Sequence, residues 1–409
     1  MKILFLAQRV PFPPNKGDKL RSFNEIKFLS QKHEVHLACL TDHKSDNQYQ
    51  EELLKYCSSV EIIYLPRIVA KLATLVALFS KKPLTLANFH SSEFAGKVLS
   101  MLQDHQFELI FVYCSSMAQY VEKTTKVPRF IDFVDVDSEK WAQYACYARP
   151  PMRWIYQLES KRLRAYERQL SRTFQHGFLV SAKETEDFQR LVSKALPLTP
   201  IVNGVDSELF QPATEPYSSN NLVFTGAMDY FANVEAVLYF AREILPLIKN
   251  SIPDVTFYVV GSNPTQELIA LAKATPHIIV TGYVDRVQPY FARSSVFVAP
   301  MRIARGLQNK ILEAMAMGVP VVTSLLGYEG ILAVPERDLF VADQPDEFAK
   351  KVVLLMKQPE LRNRMAVNGR LVIETSYQWV KNLAALDSVI AAQASLSTTS
   401  YKHSPPSLR

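Results

Sequence analysis

Short, almost wholly apolar runs recur along this chain, and stretches of helical periodicity lie between them. KILFLA (2–7), EVHLACL (34–40), VEIIYL (60–65), LIFVYC (109–114), RFIDFVD (129–135) and GFLVS (177–181) form a first series. NLVFTG (221–226), VTFYVVG (255–261), IIVTG (278–282), VFVAP (296–300) and PVVTS (320–324) form a second. A strand that is apolar on both faces must be covered on both faces. Strand–helix alternation of this kind therefore predicts parallel sheets sandwiched between helices. Helices are expected at about 19–31, 233–249, 265–274, 309–317 and 345–357. With 409 residues, two domains are the natural division. The expected architecture is α/β, two doubly wound domains facing a central cleft. Residues 1–200 would form the first and 201–375 the second, joined through NGVDSELFQP (203–212). Residues 376–392 are expected to form a C-terminal helix packing back on the first domain. The Ser/Thr/Pro-rich residues 393–409 are expected to be a disordered tail.

Several classes are set aside by what is missing. No apolar run approaches the ~18–20 residues that span a bilayer. MKILFLAQR lacks the longer apolar region and small-residue cleavage site of a signal peptide, so a cytoplasmic protein is expected. Cys39, Cys57, Cys114 and Cys146 are scattered without a C-x-x-C pair and are expected to be core thiols. The His residues form no H-x-x-x-H or H-E-x-x-H pattern, and no metal is expected.

Charge is unevenly placed. Residues 1–200 carry a net +7 and residues 201–409 a net −1. The excess centres on residues 149–172, where seven cations face only Glu159 and Glu167. A second basic stretch, RIVAKLATLVALFSKK (67–82), combines cations with an apolar run. Basic and apolar residues together on short helices suit either contact with anionic lipid or a buried helix with solvated ends. Nucleic acid is not expected, because aromatic residues do not interleave with the cations.

The chemistry should lie beyond the strand ends of the second domain. Gly226, Gly261 and Gly282 each close a strand, which lets the backbone turn sharply beside a ligand. The densest constellation is APMRIARGLQNKILEAMAMGVPVV (299–322). Arg302, Arg305 and Lys310 surround Gly306, Leu307 and Gln308 at the start of a helix. Free backbone N–H groups and the positive end of the helix dipole meet there, which suits a diphosphate. Glu313 lies one turn beyond Lys310 and could accept two hydrogen bonds from a ribose diol, each worth about 1.5–3 kcal/mol. Gly226 and Met228 are expected to line the same site, and Tyr283 beside Gly282 could border a base. In the first domain Asp18 either caps a helix or belongs to a phosphate or acceptor loop. Asp132, Asp135 and Asp137 form either an acidic acceptor site or surface charge, with Asp137 or Ser138 capping the helix EKWAQY. Asn233 is expected to cap a helix, and Asn203 and Asp206 to shape a turn.

The run Pro300–Val322 resembles the donor-site signature of retaining glycosyltransferase family 4, which has the GT-B fold. Over about residues 1–390 the chain is most similar to the sugar transferases associated with PEP-CTERM/exosortase loci. PFPPNKGDKLRSF (11–23), DFVDVDSEKWAQYA (132–145), VNGVD (202–206), FTGAMDYFANVEAV (224–237) and RIARGLQNKILEAMAMG (302–318) carry the likeness. It implies retaining transfer of a sugar from a nucleotide-diphosphate donor to a growing, lipid-linked glycan in exopolysaccharide biosynthesis. By the same likeness Glu313 would bind the ribose and Lys310 the diphosphate. Lys16, Gly17 and Asp18 would form the acceptor or phosphate loop, and Asp135 would orient the acceptor or take its proton. No cofactor other than the donor is implied. Peripheral contact with an anionic membrane would bring enzyme and acceptor together.

Two departures from that family pattern stand out. The position eight residues before Glu313, often Glu in the family, is Arg305 here. The Arg and Lys often found after the glycine matching Gly226 are replaced by Ala227–Ala232. Arg302, Arg305 and Lys310 would then supply the missing positive charge, or Arg305 would select an acidic donor sugar. The alternatives are a nucleotide-sugar 2-epimerase and a non-catalytic scaffold in a polysaccharide assembly complex.

Overall fold

In the computed structural model, which describes residues 1–15, 17–124, 126–212 and 220–402, the chain divides into two units. One comprises Met1–Val202 with Val380–Arg409, the other Asn203–Trp379.

The first unit holds seven parallel strands: β1 (Lys2–Ala7), β2 (Glu34–Thr41), β3 (Ser59–Tyr64), β4 (Leu109–Tyr113), β5 (Arg129–Val134), β6 (His176–Leu179) and β7 (Leu198–Pro200). Their order is β3-β2-β1-β4-β5-β6-β7. The second unit holds β8 (Asn221–Thr225), β9 (Thr256–Val260), β10 (Ile278–Val280), β11 (Val296–Ala299), β12 (Val321–Thr323) and β13 (Phe340–Val341), in the order β10-β9-β8-β11-β12-β13. The paired strands run parallel in both sheets. Strand order reverses between β1 and β4 in one sheet and between β8 and β11 in the other. Ligands of doubly wound sheets bind beyond the strand C-termini at such reversals.

The central strands are buried on both sides: Ile3–Ala7, Leu109–Val112 and Val296–Ala299 are all inaccessible to solvent. All eleven expected strands are present. Two more, β7 and β13, are too short to give a pattern, and β7 ends in Pro200, which an edge position tolerates. The helix expected from about Lys19 begins at Gly17, and the one expected at 345–357 spans Pro345–Lys357. The last helix runs Trp379–Lys402, so its backbone continues through ten residues assigned to the expected tail. From Val380 it groups with the first unit, where Leu383, Leu386 and Ile390 are buried and Asp387 pairs with Lys32. Cys39, Cys57 and Cys114 are buried thiols, but Cys146 is exposed on the helix Asp137–Tyr147, against expectation.

One buried charge cluster ties the first sheet to its helices. Arg21, in the helix Gly17–Leu29, donates from Nε to Asp132 of β5 at 2.5 Å and from Nη1 to the Ile201 carbonyl at 2.6 Å. Glu25, one turn on, lies 3.4 Å from the same Nε. All three side chains are fully buried. Burial, and then the neighbouring Asp132 charge, push the Glu25 carboxyl well above its usual range. Burial of this cluster therefore favours the protonated form of Glu25 beside the Arg21–Asp132 pair. Removing the cation leaves a buried carboxylate uncompensated, so Arg21→Met is expected to cost about 3–5 kcal/mol in urea-unfolding measurements. Glu25→Gln, which mimics the protonated acid, should change stability far less. Equal losses in the two variants would mean that Glu25 is charged.

Candidate active site

The reversal in the second sheet brings together the loops that follow β8 and β11. Gly226 closes β8 with φ +154° and Gly261 closes β9 with the same φ. A Cβ at Gly261 would stand 1.7 Å from the Gly226 carbonyl oxygen, so the two strand ends meet only because Gly261 has no side chain, while a Cβ at Gly226 would stand 2.5 Å from the Asn233 amide nitrogen. Met228 follows, fully buried, with its N–H on the Ser262 carbonyl at 2.8 Å.

Asn233 links these loops to the helix Asn309–Ala316. The expected cap role is not observed: Tyr230 is the residue before the helix Phe231–Tyr239, and Asn233 lies in its first turn. Its buried side chain donates to the Ala227 carbonyl at 3.0 Å and accepts from the Lys310 ammonium. Lys310 also lies over the Phe224 ring, 4.9 Å from its centroid. Burial pulls the Lys310 ammonium down to about 7, against the opposing pull of Glu313. Burial likewise pushes the Glu313 carboxyl up to about 7, against Lys310. Among the described residues no donor sits within hydrogen-bonding distance of that carboxylate. A cation and an acid one turn apart therefore both titrate near neutrality, at the open end of a helix whose capping residue, Gln308, makes no side-chain cap. Gln308 instead folds back, donating to the Arg305 carbonyl at 3.2 Å. Gly306 has φ +62°, and Leu307 is buried. Asn203, expected to shape a turn, reaches Asn309 at this helix start, Nδ2 to Oδ1 at 3.0 Å. Asp206 does shape a turn, accepting from Glu208 and Leu209.

The three expected cations divide. Lys310 holds the position just described. Arg302 is turned onto the helix Phe231–Tyr239, where it binds Glu235 through Nε at 2.7 Å and covers the Tyr239 ring at 4.3 Å. Its charge is largely matched by Glu235. Arg305 is half-buried within the loop. Gly282, with φ +72°, follows the edge strand β10, and Tyr283 beside it is exposed. Two strand spacings, about 10 Å, separate β10 from β8.

In the first unit Gly17 opens the helix that follows β1, Asp18 lies in the first turn of that helix rather than before it, and Lys16 lies outside the described residues. The three Asp of 132–137 have separate fates. Asp132 is the buried partner of Arg21, and its other oxygen accepts from the Val134 N–H at 2.9 Å. That bond holds Val134 at φ +66°, a conformation unusual for a β-branched residue. Asp137 begins the helix Asp137–Tyr147, with Val136 before it, and pairs with Lys140. Ser138 does not cap; it is buried against Glu167, Oγ to Oε2 at 2.5 Å. Asp135 lies on the turn between strand and helix, partly exposed, and among the described residues no donor engages its carboxylate. Burial, then the Glu184 charge, push it up to about 7. Sequence patterns did not single out Asn233's bridge, Glu184 or Glu235. An Asn early in a helix that follows a strand-ending Gly is the available signal for the first; the other two carry none.

Asp135 should titrate near 7 in carboxyl-carbon NMR. Glu184→Gln removes a like charge and should lower the value, whereas Lys140→Met removes a cation and should raise it. A value near 4 that neither variant moves would exclude a proton-transfer role at neutral pH.

Residues 219–358, most of the second unit, match the family model "Glycosyl transferases group 1". A Klebsiella pneumoniae protein described as "Uncharacterized 44.6 kDa protein in cps region" is 19% identical over 94% of this chain and 98% of its own length. Sucrose-phosphate synthase from Thermosynechococcus elongatus superimposes with a TM-score of 0.74 at 14% identity, over 97% of this chain and all of that one. Anabaena Alr3699/HepE in complex with UDP-glucose superimposes with a TM-score of 0.70 at 15% identity, over 96% of this chain and all of that one. The fold is thus the α/β GT-B fold, built from two Rossmann-like domains.

Proposed function

We propose that this protein is a glycosyltransferase that moves a sugar from a nucleotide-diphosphate donor to a lipid-linked glycan in exopolysaccharide assembly, with retention of anomeric configuration. The Lys310–Glu313 pair at the β8/β11 reversal carries this reading. In glycosyl transfer, negative charge grows on the departing diphosphate while the sugar becomes oxocarbenium-like. Lys310 and the neighbouring helix N-terminus would stabilise that charge. Glu313 would accept the ribose hydroxyls. Asp135 would orient the acceptor hydroxyl and take its proton, for which a carboxyl titrating near neutrality is suited. Arg305 would complete the charge on the donor side or read an acidic sugar. The group 1 match over residues 219–358 supports the reaction class, and the relative from a cps region supports polysaccharide assembly. No metal enters this reading, and the protein would sit at the cytoplasmic face of the membrane as a peripheral protein.

Thermal stabilisation by UDP, GDP, ADP, dTDP and CMP tests the donor site. One nucleotide should stabilise the fold by about 2.7 kcal/mol at 100-fold saturation. Glu313→Gln and Lys310→Ala should both abolish the shift. UDP is the first choice, because Alr3699/HepE has been crystallised with UDP-glucose. No shift with any of the five would favour the non-catalytic scaffold. Retention would be read from the anomeric NMR signal of the first-formed product.

Affinity for that nucleotide should peak near pH 7. Above about 7 Lys310 loses the proton that binds the anion, so affinity should fall up to about tenfold per pH unit until the pKa of the bound state is reached. Below about 7 Glu313 gains a proton and no longer accepts two hydroxyls. Titration calorimetry from about pH 6 to about pH 9, roughly one unit below and two above these pKa values, would read both limbs. A flat profile in the wild-type protein would exclude titration of this pair as a control on binding.

A further inference from the structure

The helix Arg67–Ala77 in the first unit is packed the wrong way round for a core helix. Its inward residues are small, with Ala70 and Ala77 buried, while Ile68, Val69, Leu72, Leu75 and Val76 are exposed. Phe79, just beyond its end, is 91% exposed. Ile68, Leu72, Val76 and Phe79 follow one another at four- and three-residue spacing, with Leu75 three residues after Leu72 and four before Phe79, so the five form one stripe.

This stripe belongs to a held element. Arg162 of the helix Met152–Leu170 donates to the carbonyls of Ala77, Leu78 and Lys82 at 3.0–3.2 Å, and also to that of Ser80. Glu159 of the same helix accepts the N–H groups of Leu84 and Thr85 at 2.6 and 2.8 Å, fixing the start of the next short helix. Part of the basic cluster at 149–172 is thus engaged internally: Arg162 on this clamp, Arg164 on Glu139 and Arg168 on the Val192 carbonyl.

We infer that the helix Arg67–Ala77, with Phe79, is a bilayer-inserting element that docks the first unit on an anionic lipid surface. The inference deepens the lipid-linked-acceptor reading by naming the element and the surface, though it rests on this helix rather than on the donor site. The charges select the occupant. Lys71, Lys81 and Lys82 are exposed around the stripe, and no Asp or Glu lies between Arg67 and Lys82. Asp42, an acid held against its start, is paired with Arg67. A second copy of the same face would bring like charges together, whereas anionic headgroups meet the lysines as the apolar stripe enters the acyl boundary. No helix among the described residues is long and apolar enough to cross a membrane, so this element would lie in the interface plane.

The full chain should float with vesicles of phosphatidylcholine mixed with phosphatidylglycerol and bind much less to phosphatidylcholine alone. Leu72→Ser with Phe79→Ser should weaken flotation at least tenfold, given roughly 1.5–3 kcal/mol for each large apolar side chain fully removed from water. Lys81→Glu with Lys82→Glu should weaken it at low salt, with the difference shrinking at high salt. The indole of a Val76→Trp variant, read by fluorescence against lipids brominated in their acyl chains, should be quenched. The nucleotide-induced thermal shift of the Leu72/Phe79 variant should match that of the wild type, which reports an intact fold and separates the two proposals. Wild-type protein that floats but shows no nucleotide shift overturns the donor reading alone. Wild-type protein that fails to float, a double variant that floats as well as the wild type, or an unquenched indole in the Val76→Trp variant overturns the membrane element. So does a stripe that proves to mediate self-association without lipid binding.

Discussion

A parallel sheet sends all of its strand ends the same way, and nearly everything chemical in this chain follows from that constraint. Each strand end must be followed by a turn at one edge of the layer, and where strand order reverses two turns diverge and leave space. In the second unit the reversal lies between β8 and β11. Gly261 allows the backbone at β8 and β9 to close to a distance no side chain would permit, and Gly226 leaves room for the Asn233 amide. The loop after β11 then leads directly into the helix Asn309–Ala316, so Lys310 and Glu313 arrive at the open end of the layer. Asn233 makes the arrangement one unit, because a single amide holds the Ala227 carbonyl with one end and the Lys310 ammonium with the other.

Burial of charge separates scaffold from chemistry. Arg21, Asp132 and Glu25 are all inaccessible to solvent, yet Arg21 and Asp132 are held by a short bond and burial pushes the Glu25 carboxyl well above its usual range. Such a cluster is closed to solvent, and it fixes the helix Gly17–Leu29 to β5. Asp135, three residues beyond Asp132, is the opposite case. It reaches solvent, no described donor engages it, and its proton is balanced near neutrality. Lys310 and Glu313 are likewise partly exposed with burial shifting each to about 7, although the Lys310 ammonium is held by Asn233. Desolvating an acid and a base side by side without fully pairing them destabilises the unliganded protein, and a ligand that presents an anion to one and hydroxyls to the other relieves the cost. This is the physical ground for proposing chemistry at Asp135, Lys310 and Glu313 rather than at Asp132 or Arg302.

The strands were legible because a strand buried on both faces needs an unbroken apolar run, and the sheet needs nothing else from those residues. The position of Lys310 and Glu313 in the first turns of a helix was legible for a similarly local reason: a Gly-containing loop running into a helix start is a short-range pattern. The rest of the site depends on partners far apart in the sequence. Arg302 reads as an available cation until Glu235, 67 residues earlier, is seen to hold it. Asn233 reads as a cap until its amide is found on Lys310, 77 residues later. The Asp132–Asp137 segment reads as one acidic patch, yet the chain puts one Asp in the core, one in the first turn of a helix and one on a strained turn. Local spelling carries residue type and period but not the identity of a distant partner.

The helix Arg67–Ala77 shows the same limit in another form. Its period announces two faces, and an apolar face beside a basic one is also what a buried helix with solvated ends would display. Which face points inward is decided by what waits beneath it. Here the space beneath accepts only Ala70 and Ala77, and the clamp from Glu159 and Arg162 fixes the segment that follows so that the helix cannot roll its large side chains under. Turning Ile68, Leu72 and Val76 inward would force side chains far larger than methyls into alanine-sized space, and overpacking of that kind costs about 1–3 kcal/mol for each well-packed site. Leaving them outward forgoes a comparable hydrophobic gain for each side chain, unless something other than water meets that face. A bilayer removes the second cost without incurring the first. That balance, rather than the mere presence of lysines, is what sets this stripe apart from an ordinary exposed leucine.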